Sequence, residues 1–140
     1  MEVGANDFSR LIGCERDIAG KLAVNLVVHS LNAALSEAMV LAGRAGVSPS
    51  DAYDVFQASV VAAPYVNYKR EAFLNATADV AMSLDLVLKD MRLITAFADQ
   101  LGVAVPTAAA VAAEVDAACI AGFGRRDMAT LSRFLGRDQG

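Results

Sequence analysis

Lys21, Asn25, His29, Asn32 and Ser36 follow one another at steps of four, four, three and four residues. A repeat of about 3.6 residues per turn stacks them into one narrow row on a helix. Around them, from Leu22 to Leu41, the chain is apolar on nearly every side, the pattern of a buried central helix. A polar row on such a helix needs partners or a water-filled cleft. Lys21 is the residue with the most chemical potential. If burial disfavours its ammonium form, its pKa falls toward the range of a general acid/base; if the stem snorkels, the head stays in water and the residue is structural. The sequence leaves both open. Asn25, one turn on, offers a donor and an acceptor to a ligand held near that amine, or makes a structural hydrogen bond. His29 and Asn32 lie deeper and are read as structural. Lys89-Asp90 is a second charged pair inside an apolar helix, serving either as an internal ion pair or as a face toward a ligand.

The elements that position these residues are helical. The central helix runs from about Gly20 to Ala45 and closes at Gly46, where glycine takes a left-handed C-cap. Ser48 caps a second helix with Pro49 at its first position, reaching about Ala58. A short helix is expected around Tyr65 to Phe73. Ser83 caps a long helix from Leu84 to about Leu101, ended by Gly102, with Leu84, Leu86, Val87, Leu88, Met91, Leu93, Ile94 and Phe97 on its buried side and Asp85 one turn from Lys89, where the two can pair. A helix of small residues runs from Pro106 to about Ala121, and Asp127 caps a last one through Leu135. No stretch alternates as a sheet would, so the fold class is all-α. Residues 1–17 read as a lead-in, the remnant of an interdomain connection; 18–135 as one helical domain; 136–140 as a loose tail.

Composition bounds the function. The chain has 140 residues, enough for one core, and 56% of them are hydrophobic, with a mean hydropathy of +0.42. That is oily for a lone domain, so part of the apolar surface is expected to meet another chain or domain. A net charge of -4 argues against a nucleic-acid surface. Uncharged runs fall short of the ~18 residues of a membrane span, since Lys21 and Glu37 bracket the oiliest one, and the N-terminus carries no apolar secretion segment. Cys14 and Cys119 stand apart with a single histidine in the chain, which fits reduced cytoplasmic thiols and no metal site. Gly122-Phe123-Gly124-Arg125-Arg126-Asp127 starts like a dinucleotide fingerprint, but it follows a helix and ends on Asp127.

In order, Gly20-Lys21-x-x-x-Asn25, Ala34-Leu35-Ser36-Glu37-Ala38, Ala45-Gly46-Val47-Ser48-Pro49, Ala63-Pro64-Tyr65-x-Asn67-Tyr68, Leu88-Lys89-Asp90-Met91-Arg92-Leu93, Gly102-Val103-Ala104-Val105-Pro106 and Gly122-x-Gly124-x-x-Asp127 make up a series. Over residues 18 to 135 it resembles the C-terminal helical domain of the β-hydroxyacid dehydrogenases, the 3-hydroxyisobutyrate dehydrogenase family within the 6-phosphogluconate dehydrogenase superfamily. The resemblance implies Lys21 as the catalytic acid/base, Asn25 and Tyr65 as substrate-binding residues, and Lys89 as a contact to NAD or NADP. It implies a homodimer and a small hydroxyacid substrate. The family's glycines before the lysine are replaced here by Glu15, Arg16 and Asp17. The family's Rossmann domain is not among these 140 residues, so the chain alone is expected neither to turn over hydroxyacids nor to hold the cofactor tightly. A non-catalytic helical dimerisation module derived from the same fold is the alternative.

Overall fold

The computed structural model describes residues 14–137, and these are helical with no strand among them. The elements are α1 (Cys14–Arg44), α2 (Pro49–Ala58), α3 (Pro64–Leu74), α4 (Leu84–Leu101), α5 (Pro106–Ala118), a π-helical turn (Cys119–Phe123), a 3₁₀ turn (Met128–Thr130) and α6 (Leu131–Gly136). The expected lead-in lies outside the described residues up to 13. From Cys14 onward it is already helix, because Glu15, Arg16 and Ala19 are good helix formers with no breaker among them. The expected tail likewise starts later: Gly136 closes α6, and Arg137 sits with its guanidinium 3.7 Å from the Phe134 ring centre. Residues 138–140 lie outside the described residues.

Local signals account for most boundaries. The Ser48 and Ser83 hydroxyls accept from the amides of Asp51 and Leu86, and Gly102 ends α4 at φ 67°, where a side chain is strained. The first amides of α4 are also satisfied from a distance: Leu84 N donates to Arg126 O at 3.0 Å and Asp85 N to Gly124 O at 2.8 Å, while Met128 N donates to Met82 O at 2.7 Å. These three bonds and the Ser83–Asp127 bridge clasp the start of α4 to the loop after α5. The helix of small residues stops at Ala118, three residues short of the expected Ala121, and unwinds through the π turn because Gly122 takes φ 97°.

α1 is the axis, packed by α2, α4, α5 and α6. One core lies between α4 and α5 and is closed by Met128, Leu131 and Phe134; a second joins Leu35 of α1 to Tyr53, Val66 and Phe73. Tyr53 is fully buried, its hydroxyl donates to Val66 O, and burial pushes its pKa up to about 12 against the pull of Arg70.

Two expectations about burial fail. α1 is not covered all round, since Val24, Val27 and Leu41 are 50%, 62% and 75% exposed. On α4, Leu86 and Leu93 are each half exposed rather than buried. They lie seven residues apart on the side opposite Leu84, Val87 and Met91, so α4 carries a second apolar line that the core does not reach. The stretches Arg16–Arg44 and Pro106–Phe123 are long and apolar enough to cross a membrane by length and composition. Counting uncharged runs was therefore too strict a test, because a window average tolerates a charge near its edge. In this fold both helices give side chains to the core.

Candidate functional site

The polar row of α1 forms as the spacing requires, and its deeper members have partners. His29 Nε2 is 3.0 Å from Asp90 Oδ2 of α4. A carboxylate only accepts, so Nε2 is the donor, and Nδ1 has no partner among the described residues. Asn32 donates to Met128 O at 3.0 Å and accepts from the Tyr65 hydroxyl at 2.7 Å. Ser36 turns back to Asn32 O. His29, Asn32 and Ser36 are buried. These contacts fix the rotation of α1 against α4, α3 and the 3₁₀ turn, and with it the direction of Lys21 and Asn25.

Lys21 itself is not buried by the described residues. Its side chain is 58% exposed and its ammonium is 3.4 Å from Asp17 Oδ2, one turn back. The burial that would tune it must come from outside these residues, because α1 begins at Cys14 and Lys21 sits two turns in, beyond the helices that cover the middle of α1. Asn25 is half-buried on the same row. Tyr65 joins the row at Asn32, seven residues or about 10 Å along the axis from Asn25. Burial first, then the Asp127 charge, drives the Tyr65 phenol pKa upward, so it serves as a hydrogen-bond donor and not as a base. Lys89 is exposed, next in sequence to Asp90. Asp85 does not pair with it; the Asp85 carboxylate lies against the Cys119 thiol, whose pKa rises to about 11 through burial and that carboxylate. Among the described residues no group of three or more His, Cys, Asp or Glu could hold a metal ion.

The sequence reading missed a buried ion pair. Lys69 Nζ lies 2.9 Å from both carboxylate oxygens of Asp127, with side chains 3% and 7% exposed. Asp127 also accepts from the amides of Ala81, Met82 and Ala129. Burial alone would raise its pKa; the Ala129 amide, Lys69 and the Ala81 amide outweigh it and hold the carboxyl below its usual range. The expected cap is thus correct but is the smaller part of what Asp127 does. A depression of about 470 Å³ lies beside Lys69, between Tyr68, Lys69 and the loop Thr77–Ala81. Lys21, Asn25 and Lys89 are not in its wall.

The described residues thus form an all-α domain in which a row of polar side chains on a long central helix is locked to a lysine-aspartate helix. Residues 18–135 match the family described as NAD-binding of NADP-dependent 3-hydroxyisobutyrate dehydrogenase, and the chain belongs to that family. Among curated relatives it is 33% identical over 90 residues to glyoxylate/succinic semialdehyde reductase 1 of Arabidopsis thaliana, covering 64% of this chain and 31% of that protein. It is 29% identical over 92 residues to the chloroplastic reductase 2 of the same plant, covering 66% and 26%. Among solved structures, 3-hydroxyisobutyrate dehydrogenase from Salmonella typhimurium superposes with a TM-score of 0.78 at 24% identity, over 83% of this chain and 41% of that one. The Mycobacterium tuberculosis 3-hydroxyisobutyrate dehydrogenase, crystallised with L-serine, gives 0.75 at 22% over 85% and 43%. These likenesses establish the all-α helical domain fold. The chain spans under a third of the curated relatives it matches and under half of the solved ones.

Proposed function

We propose that this chain is the helical, substrate-binding and dimerising part of an NAD(P)-dependent 3-hydroxyacid dehydrogenase or reductase. Lys21 is the acid/base, Asn25 and Tyr65 are substrate-positioning residues, and Lys89 approaches the nicotinamide. The reading rests on family membership and, within the structure, on the 3.0 Å His29–Asp90 contact. That contact ties the Lys21 row of α1 to the Lys89 segment of α4. A bound dinucleotide would supply the hydride chemistry. The work of this chain is the proton: a neutral Lys21 amine takes the hydroxyl proton as the carbon loses hydride, and its ammonium returns one in reduction. The Asn25 amide gives the substrate one donor and one acceptor, and Tyr65 acts through Asn32, which its hydroxyl holds in place. Lys21 is exposed in this chain, and covering it by a dinucleotide-binding portion excludes water and supplies the desolvation that proton exchange needs.

Apolar side chains left open on α1 and α4 support a homodimer, and Cys119 as a free thiol fits a reducing, cytoplasmic setting. The test is Lys21→Ala in a form joined to a Rossmann domain. Turnover of small hydroxyacids is expected to vanish while cofactor affinity holds, and unchanged turnover would overturn the assignment. The chain by itself is expected to be inactive and to bind NAD and NADP weakly, since the phosphates of such a cofactor are gripped by amides at a strand-to-helix turn. Calorimetry giving micromolar binding would refute this. A fused form with no activity on any hydroxyacid would favour the non-catalytic dimerisation module.

A further inference from the structure

In a chain of net charge -4, one small pocket is lined by three arginines. Arg125 and Arg126 come from the loop after the π turn and Arg133 from α6; Thr130 and Asn75 complete the wall, enclosing about 160 Å³. That is room for about five waters at ~30 Å³ each, or for one small oxyanion with part of its hydration.

The charges do not cancel locally. Asp127 is the acid in the wall, and both its oxygens are already filled by Lys69 and by three backbone amides. Arg133 is half-buried, with Nη2 donating to the carbonyls of Ala72 at 3.3 Å and Phe73 at 3.1 Å, which leaves most of its five N–H donors unused by these bonds. Burial and then the repulsion of Arg126 work against its charge, and the nearby Asp127 offsets them only in part. Arg126 lies over Phe123, its guanidinium 4.5 Å from the ring centre, which holds it beside the pocket. Glu71 and Asp79 belong to the adjoining depression, where they repel an anion and confine it to the arginine side.

We propose that this pocket is a binding site for a small dianionic oxyanion, a phosphoryl group or a dicarboxylate, gripped by Arg125, Arg126 and Arg133. The site shares no lining residue with Lys21, Asn25, Tyr65 or Lys89 and does not depend on the dehydrogenase reading. Guanidinium forks match the paired oxygens of phosphate and carboxylate, and three of them from two elements enclose the anion.

The full chain is titrated with inorganic phosphate and, separately, with succinate, at ionic strength held constant with chloride, and followed by heat of binding and thermal midpoint. Saturable binding at millimolar concentration or below is expected, with a rise in midpoint. Arg125→Gln with Arg126→Gln, both exposed, costs the fold only the Arg126–Phe123 contact and is expected to weaken binding about tenfold or more, the worth of losing charged hydrogen bonds. Phosphate binding alone assigns a phosphoryl ligand, and equal binding of succinate assigns a carboxylate. The absence of saturable binding to either ion, or affinity unchanged in the double variant, overturns the proposal.

Discussion

Replacing Lys69 by Met keeps the stem of the side chain and removes the ammonium from a pair buried to 3% and 7% exposure. What remains is a buried carboxylate with three amide donors, from Ala81, Met82 and Ala129. Breaking one side of a buried pair costs about 3 to 5 kcal/mol, and the surviving amides place Lys69→Met at the lower end, about 3. Asp127→Ala is worse on the same count. It strands the lysine charge and also orphans the three amides, each costing about 1 kcal/mol or more, so at least 5 kcal/mol is expected. Domains of this size hold only about 5 to 15 kcal/mol in total, so Asp127→Ala is expected to leave the chain largely unfolded. In urea, with a slope of about 2 kcal/mol/M, Lys69→Met moves the midpoint down by about 1.5 M. The acid side adds a check on sign. The folded Asp127 pKa lies below its unfolded value, so its stabilisation is complete above about pH 4 and is lost as pH falls below that toward the folded pKa. Without Lys69 one of the groups that depress the pKa is gone, so the folded value moves back toward the unfolded one and less stability is lost in acid. Circular dichroism at 222 nm against urea, at several pH values, reads both. A Lys69→Met midpoint equal to that of the parent, or an Asp127→Ala variant more stable than Lys69→Met, would refute the reasoning.

The Glu114 carboxyl is pushed up to about 7 by burial and then by Glu37 across the α1–α5 groove. The folded state therefore keeps a proton that the unfolded chain has released, and stability falls as pH rises from about 4.5 to 7. Glu114→Gln is expected to flatten that decline and to gain about 1 kcal/mol at pH 8 after allowing for solvent screening, read by urea unfolding at pH 5 and pH 8. Gly102→Ala places a Cβ at φ 67° and is expected to cost about 1 kcal/mol in the same assay, whereas an unchanged midpoint would mean that the turn relaxes. Tyr65→Phe removes the donor to Asn32 and is expected to cost about 1 kcal/mol of stability, checked by thermal unfolding. Sedimentation at micromolar concentration is expected to give a dimer, and a clean monomer would remove the role given to the open faces of α1 and α4.

What the sequence made legible was what local rules decide. Ser48, Ser83 and Gly102 mark their boundaries because a hydroxyl or a left-handed glycine acts within one turn. The row from Lys21 to Ser36 was legible because a helix converts spacing directly into a face. Lys69 was not, since it sits beside Arg70 in a short, weakly patterned helix and its partner is 58 residues away; nothing local distinguishes the buried lysine from the half-exposed arginine. Leu86 and Leu93 were misplaced because α4 is apolar on two sides, and composition does not tell which side the core takes. The exposure of Lys21 had no local signal either, as it depends on what packs against α1 beyond these residues.

The clasp between the start of α4 and the loop after α5 has a kinetic consequence. Leu84 to Arg126, Asp85 to Gly124 and Met128 to Met82 are main-chain bonds that close a lasso of some forty residues containing both helices. Once the ring is shut, α4 and α5 can only meet as a hairpin, and their mutual contacts form at little further loop-closure expense. The ring is thus set to behave as one cooperative unit that opens last. In native-state hydrogen exchange the amides of Leu84, Asp85 and Met128 should slow together and share one opening free energy, while the exposed first turns of α1 exchange ahead of them.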